Sequence, residues 1–241
     1  MLADDTIWKD CLAGNQFCLS LVRHLLFFNV VDVMSLRRLF KAAYPERRPE
    51  RIVSMIQVGH KINDFECDAY YDGEIKKIRL SFYEGKWLVL LFYPADFTFV
   101  CPTELEDAAD HYEEFKKSGA EILSVSTDTA YVHKAWHDQS PAIKKIRYPM
   151  VADPAAKLCR YFGTYIEENG ISLRATYIID PDGVLRAYEV HDNSIGRSAD
   201  EILRKLQAAI FVRGHEGEVC PANWRPGKKT LRPGMDLIGK I

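Results

Sequence analysis

Hydrophobic positions along this chain switch repeatedly between two periods. Residues 87–93 form an unbroken apolar run, the pattern of a strand covered on both faces. Leu105, Ala108, Ala109, Tyr112 and Phe115 then recur at helical spacing and mark one apolar face. Glu104, Glu106, Asp107 and Asp110 load the first turns of that helix, Lys116 and Lys117 load its last, and Gly119 stops it. Residues 121–126 predict a second buried strand, followed by a helix near 129–138 with Val132, Ala135 and Trp136 inward. A short helix over 155–162, with Leu158 and Phe162 inward, is closed by Gly163.

Hairpin signals flank this alternation. Residues 65–83 read as short strands around Asp72-Gly73, and residues 173–179 and 184–190 as strands around Asp180-Pro181-Asp182-Gly183. Ser198 and Glu201 form a capping box opening a helix to about Arg213, with Ile202, Leu203, Leu206, Ala209 and Ile210 as its apolar face. This order predicts an α/β protein, a central mixed sheet flanked by helices. From Gly214 the chain is rich in Gly and Pro and reads as a mobile or partner-dependent tail.

With 241 residues, 47% of them hydrophobic, the chain fits one large domain or one domain with an appendage. A formal net charge of −2 gives no reason to expect nucleic acid, and no binding motif for it appears. Residues 17–34 are apolar, but Arg23, His24, Asn29 and Asp32 interrupt them too often for a membrane span. Asp4, Asp5 and Asp10 argue against a secretory leader. Residues 37–51 are Arg-rich with two prolines and suit a linker or disordered arm.

Chemistry enters with the cysteines. The six are Cys11, Cys18, Cys67, Cys101, Cys159 and Cys220, spaced irregularly and without the usual zinc-ligand patterns. Cys67 and Cys159 read as small buried hydrophobes, while Cys11 and Cys18 take no role. Cys220 lies in the tail, where exposure makes chemistry the better reading. Cys101 lies where the buried strand gives way to a helix, with Pro102 at the first helical position. Free N–H groups and the macrodipole favour an anion at such a terminus, and the thiolate is the reactive form of cysteine. Glu104 opposes a thiolate, so a cation, preferably an arginine, should neutralise it and reach the sulfur. His133 and His137 could form half a metal site, but no third ligand is placed, so they read as solvated or capping residues.

The pattern Pro94-x-x-x-Thr98-x-x-Cys101 at a strand-to-helix junction resembles the signature of the peroxiredoxins. Further matching stretches are 92–104, 124–129, 133–137, 174–183 and 217–224, together with the ending Asp-Leu-Ile-Gly-Lys-Ile. They extend the resemblance over residues 57–241, toward typical two-cysteine members of the bacterial alkyl hydroperoxide reductase C type. The resemblance implies a thioredoxin-like fold and a thiol peroxidase acting on hydrogen peroxide and organic hydroperoxides. Cys101 would be the attacking thiol, Thr98 a donor to peroxide or sulfur, and Pro94 the shield of the pocket. Arg174 would be the cation and Glu104 its orienter, with Arg197 as a second arginine. Cys220 would resolve the Cys101 sulfenic acid by a disulfide to the partner subunit, after local unfolding.

The resemblance also implies no cofactor or metal. The partners would be a peroxide, a dithiol reductant (a flavoprotein reductase subunit or a thioredoxin-like protein) and further copies in a homodimer-based ring, a decamer. Nucleic acid and membrane are not expected, and the location would be cytoplasmic. Residues 55–213 would be the thioredoxin-like domain and 214–241 a tail carrying the resolving cysteine. Residues 1–54 would be an N-terminal extension, disordered or preceding the true start at Met55, with a targeting arm from Met1 or Met34 as the rival. Between Asp138 and Asp153 there is no Gly-Gly-Leu-Gly insert, nor a terminal Tyr-Phe pair, which implies resistance to over-oxidation. The rival function is an oligomeric holdase or redox-signalling partner; a disulfide reductase would need the missing Cys-x-x-Cys.

Overall fold

The computed structural model describes residues 56–240, so the expectations for residues 1–54, including Cys11 and Cys18, fall outside the described residues. Strands β1 (Glu66–Tyr71) and β2 (Glu74–Arg79) form the first hairpin. Its turn takes Asp72 and Gly73 to φ 53° and 78°, the left-handed geometry that joins two twisted antiparallel strands in two residues. Then follow β3 (Trp87–Phe92), α1 (Cys101–Asp110), α2 (Tyr112–Lys117), β4 (Ala120–Ser126), α3 (Ala130–Gln139), β5 (Met150–Ala152) and α4 (Lys157–Tyr161). A small β6 (Tyr165–Ile166) and β7 (Ile171–Ser172) pair precedes β8 (Arg174–Ile179), β9 (Leu185–His191) and α5 (Ala199–Gly214).

Among the described residues, seven strands form one mixed sheet in the order β2-β1-β5-β4-β3-β8-β9. Strand β3 is its organiser, parallel to β4 and antiparallel to β8. Because side chains alternate across a strand, Val89 and Leu91 pack into one core with α1, α2, Trp136 and α5. Leu88, Leu90 and Phe92 pack into a second core with Leu158, Phe162 and Tyr177. An unbroken apolar run is therefore required of β3, since both of its faces are covered. No helix of the described residues is long and apolar enough to cross a membrane.

Five expectations need correction. The helix expected from Cys101 to Lys117 breaks at His111, whose backbone sits at φ −90°, ψ 0° and whose Nδ1 lies 2.9 Å from the Asp107 carbonyl oxygen. A side chain competing for a helix carbonyl bends the ladder. On α3 the inner stripe is Ala130, His133 and Trp136, while Val132 and Ala135 are half-buried. His133 is fully buried rather than solvated, because Asp96 gives it a buried partner. The capping box of α5 does not form. Ser198 makes no side-chain cap, the Ala199 N–H donates to Asp107 Oδ2 at 2.7 Å, and Glu201 accepts from Arg204 instead. Cys67 is half-buried rather than buried, and burial pushes its thiol up to about 12; Cys159 is fully enclosed.

The tail after α5 is docked rather than free. Trp224 is 3% exposed, its ring 4.9 Å from that of Phe211, and its carbonyl accepts from Arg204. Arg225 holds Asp200 with both terminal nitrogens, at 2.9 and 2.6 Å. Val219 pairs with Leu231 in an antiparallel bridge that fixes the backbone beside Cys220.

Candidate active site

The end of β3 and the start of α1 are joined by the turn 93–100, and the site is built on that turn. Pro94 is buried at the strand's exit. Phe97 takes φ 55°, a region that bulky side chains rarely occupy. Thr98 Oγ1 donates to the Ala95 carbonyl at 2.9 Å and closes the turn. Its hydroxyl proton is thereby committed, which leaves the oxygen's lone pairs to face an incoming O–H. Cys101 is the first residue of α1, so Pro102 is the second rather than the first helical residue; it still lies where a missing N–H costs nothing. The thiol has no exposed surface, although Phe99 beside it is 94% exposed.

Strand β8 brings the cation. Its register against β3 pairs Phe92 with Ala175, so Arg174 falls just beyond the end of β3, beside the turn. Arg174 Nη1 lies 3.4 Å from Cys101 Sγ and 2.5 Å from Glu104 Oε2. Its Nε donates to the Asn193 carbonyl at 2.9 Å, and its backbone N–H donates to Asn193 Oδ1. Glu104, one helical turn after Cys101, also accepts from Arg197 N and Nε, both at 2.8 Å, and from Nη2 at 3.1 Å. Arg197 Nη1 in turn donates to the Ala175 carbonyl at 2.7 Å.

Burial raises the Glu104 carboxyl, but hydrogen bonds and charge from Arg197, followed by the charge of Arg174, outweigh it and hold the group below its usual value. Glu104 is therefore ionised, as the charge conflict in the sequence required. Two guanidiniums enclose one carboxylate, and all three side chains are buried. One positive charge is left over, and the sulfur touching Arg174 is the atom that can balance it as a thiolate.

Pro94, Thr98, Cys101, Glu104, Arg174 and Arg197 thus converge on one junction. Cys220 does not join them within the chain. Both thiols are free, and Cys220 Sγ sits half-buried against α5, 3.9 Å from the Ala208 carbonyl. Burial raises its thiol above the ordinary value, partly offset by Arg204. Asn193 was not legible in the sequence as a tether for Arg174; in Asp192-Asn193-Ser194 it has the composition of any turn. Nor was the buried group of Tyr93, Asp96 and His133, whose members lie up to 40 residues apart.

The sequence pattern of the AhpC/TSA family matches residues 58–188, and that of the C-terminal domain of 1-Cys peroxiredoxin matches residues 211–235. Alkyl hydroperoxide reductase C of Salmonella typhimurium is 50% identical over 187 residues, 78% of this chain and 100% of its own. The protein of the same name from Amphibacillus xylanus is 47% identical over 188 residues, with the same coverage of 78% and 100%. The crystal structure of Enterococcus faecalis AhpC superposes with a TM-score of 0.68 at 48% identity, covering 69% of this chain and 100% of that one. Reduced 2-Cys peroxiredoxin of Plasmodium vivax gives 0.71 at 33% identity, covering 74% and 94%.

Proposed function

The chain belongs to the AhpC/TSA family, and on that footing we propose that it is a thiol peroxidase reducing hydrogen peroxide and organic hydroperoxides through Cys101. The observation that carries the reading is Arg174, held by Glu104 and Asn193 with Nη1 3.4 Å from the sulfur. The thiolate attacks the terminal peroxide oxygen. An S–O bond forms, the O–O bond breaks, and the alkoxide or hydroxide leaves and takes a proton. Sulfur is oxidised to the sulfenic acid and the peroxide is reduced to alcohol or water. Thr98 Oγ accepts from the peroxide O–H and orients it, and Arg174 stabilises the developing negative oxygen.

The sulfenic acid then condenses with the Cys220 thiol of a partner subunit, releasing water and leaving a disulfide. Disulfide carbons must approach to about 4 Å between Cβ atoms. Cys101 is enclosed and Cys220 is docked on α5, so both the first turn of α1 and the tail open during turnover. A dithiol protein or a flavoprotein reductase returns the disulfide to two thiols, in homodimers assembled as a ring, a decamer. Residues 55–213 are the catalytic domain in this reading, 214–241 the resolving tail and 1–54 an extension. The location in this reading is the cytoplasm.

Peroxide consumption with a small dithiol tests the proposal. Cys101→Ser should lose all turnover; undiminished turnover refutes the assignment. With no added thiol, Cys220→Ser should retain one rapid turnover per Cys101, form no disulfide-linked dimer on non-reducing gels and accumulate a dimedone-reactive sulfenic acid. A dimer still formed through Cys101 in that variant would remove Cys220 from the resolving role.

A further inference from the structure

Beneath the catalytic turn lies a polar group that the chemistry above does not use. His133, on α3, has no exposed surface. Its Nδ1 is 2.7 Å from Asp96 Oδ2 and its Nε2 is 3.1 Å from the Val151 carbonyl oxygen. The Tyr93 hydroxyl lies 3.5 Å from Nδ1 as well. A ring held on both nitrogens in a site with no exposed surface has one orientation open to it, because a turned imidazole would leave buried polar groups unpaired. The second oxygen of Asp96 accepts from the Tyr93 hydroxyl at 2.7 Å. Burial and then the Asp96 charge push that hydroxyl well above its usual range, so it stays a donor. A further ionisable neighbour is Asp128, which accepts from the Asp96 backbone N–H at 2.8 Å and from Ser126 Oγ.

Asp96 belongs to the catalytic turn. It sits between Pro94 and Thr98, next to Phe97 with its left-handed backbone, and it is fixed at its carboxylate and its N–H together. The Phe97 conformation costs on the order of 1–3 kcal/mol unless its surroundings over-determine it. Asp96 on one side and Trp136 on the other, ring centroid 6.0 Å from Phe97, supply that determination. The Thr98 hydroxyl closes the same turn through Ala95.

We infer that His133 is a positioning residue of the peroxide reaction: a buried imidazole that pins Asp96 and, through the 94–98 turn, aims Thr98 at the peroxide above Cys101. The inference rests on the peroxidase reading and adds a residue that touches neither sulfur nor substrate. Arg174 reaches the sulfur from β8, held by Glu104 of α1, and not through this turn. His133 should therefore govern peroxide orientation and leave the nucleophilicity of the sulfur alone.

The test uses full-length protein and three measurements. In stopped flow, His133→Gln should lower the second-order rate of Cys101 with hydrogen peroxide by roughly 30- to 100-fold, the scale of a misplaced reacting group. Alkylation of Cys101 by iodoacetamide, which needs the thiolate but no peroxide pocket, should stay within about threefold, since it bypasses the oriented O–H. In a Thr98→Val background the same change should cost almost nothing further, because both act through one group. Equal losses in peroxide and alkylation rates, multiplicative losses with Thr98→Val, or an unchanged peroxide rate would each overturn the inference. A wild-type protein inert to peroxide would instead sink the peroxidase reading. Magic-angle-spinning nitrogen-15 spectra of the unaltered, histidine-labelled protein decide independently of any variant's folding. One imidazole should show a strongly deshielded ring N–H, the mark of the short contact with Asp96; no such N–H on any histidine refutes the pin.

Discussion

Replacing Glu104 with Gln keeps the outline of the side chain and removes its charge. The native carboxylate accepts four N–H groups, one from Arg174 and three from Arg197. A glutamine amide offers one acceptor oxygen, and its NH2 group faces guanidinium donors that it cannot pair with. Two buried cations then lose the carboxylate they share, and the Cys101 sulfur beside Arg174 can balance one of them at most. Removing one partner of a buried pair costs about 3–5 kcal/mol. No discount for solvent applies, since the carboxylate and the Arg174 side chain are each 4% exposed and the Arg197 side chain 2%. Against a domain stability of roughly 5–15 kcal/mol, the variant folds but melts lower. At about 2–4 °C per kcal/mol for this size, the fall is roughly 6–20 °C. Arg174 keeps its tether to Asn193, so it is misplaced rather than released, and the peroxide rate should drop about 100-fold. Thermal melting at fixed protein concentration and stopped-flow oxidation measure the two effects. A melting point within about 2 °C of wild type would refute the clamp. A lowered melting point with an unchanged rate would show that Asn193 alone orients Arg174.

Three further outcomes follow from the same geometry. Glu104 is held below its ordinary value of 4.5, so the unfolded chain binds the extra proton; its stabilisation is complete above pH 4.5 and is lost as pH falls through the lower native value. Glu104→Gln should therefore flatten the acid limb of the stability-pH curve relative to wild type, and parallel limbs would contradict this. Asp107→Ala should cost about 1 kcal/mol in urea unfolding while Ser198→Ala costs under about 0.5, because Asp107 caps α5; the reverse order would restore the capping box. Trp224→Ala should loosen the tail by about 3–5 kcal/mol, seen as lost amide protection over residues 216–232 and faster disulfide formation after peroxide; an unchanged disulfide rate would mean that tail release does not limit it.

What the sequence disclosed, and what it withheld, divides along one line. Apolar periodicity at β3, α1 and α5 carried the layers of the fold, because burial of a repeating face is a local signal. Cys101, Thr98 and Pro94 were legible for the same reason, since they occupy one short turn. Glu104 posed its own question, an acid beside an anion, and the demand for an arginine followed from electrostatics before Arg174 could be located. The failures are contacts made across the chain. Asp107 displaced Ser198 as a cap because α1 and α5 lie side by side, and His133 displaced Val132 from the core because Asp96 waits beneath it. Asn193 holds Arg174 through its backbone carbonyl, a contact that side-chain identity does not announce.

In the proposed cycle, contacts made by the first turns of α1 must yield. The first turns of α1 carry Cys101, Glu104 and Asp107, and the latter two bind the Arg197–Ala199 segment. Opening that turn toward a second thiol breaks the Glu104 clamp, at a cost of several kcal/mol for a buried pair. In that cycle the attacking thiolate completes the charge balance before reaction, with two guanidiniums against two anions. Oxidation to a sulfenic acid, neutral when protonated, removes one of those anions and leaves an excess positive charge buried beside Arg174. The closed turn loses stability at the step after which it has to open. On the proposed mechanism, charge balance thus orders the cycle: the site is most tightly closed while the sulfur is a nucleophile and loosens once the sulfur has become an electrophile.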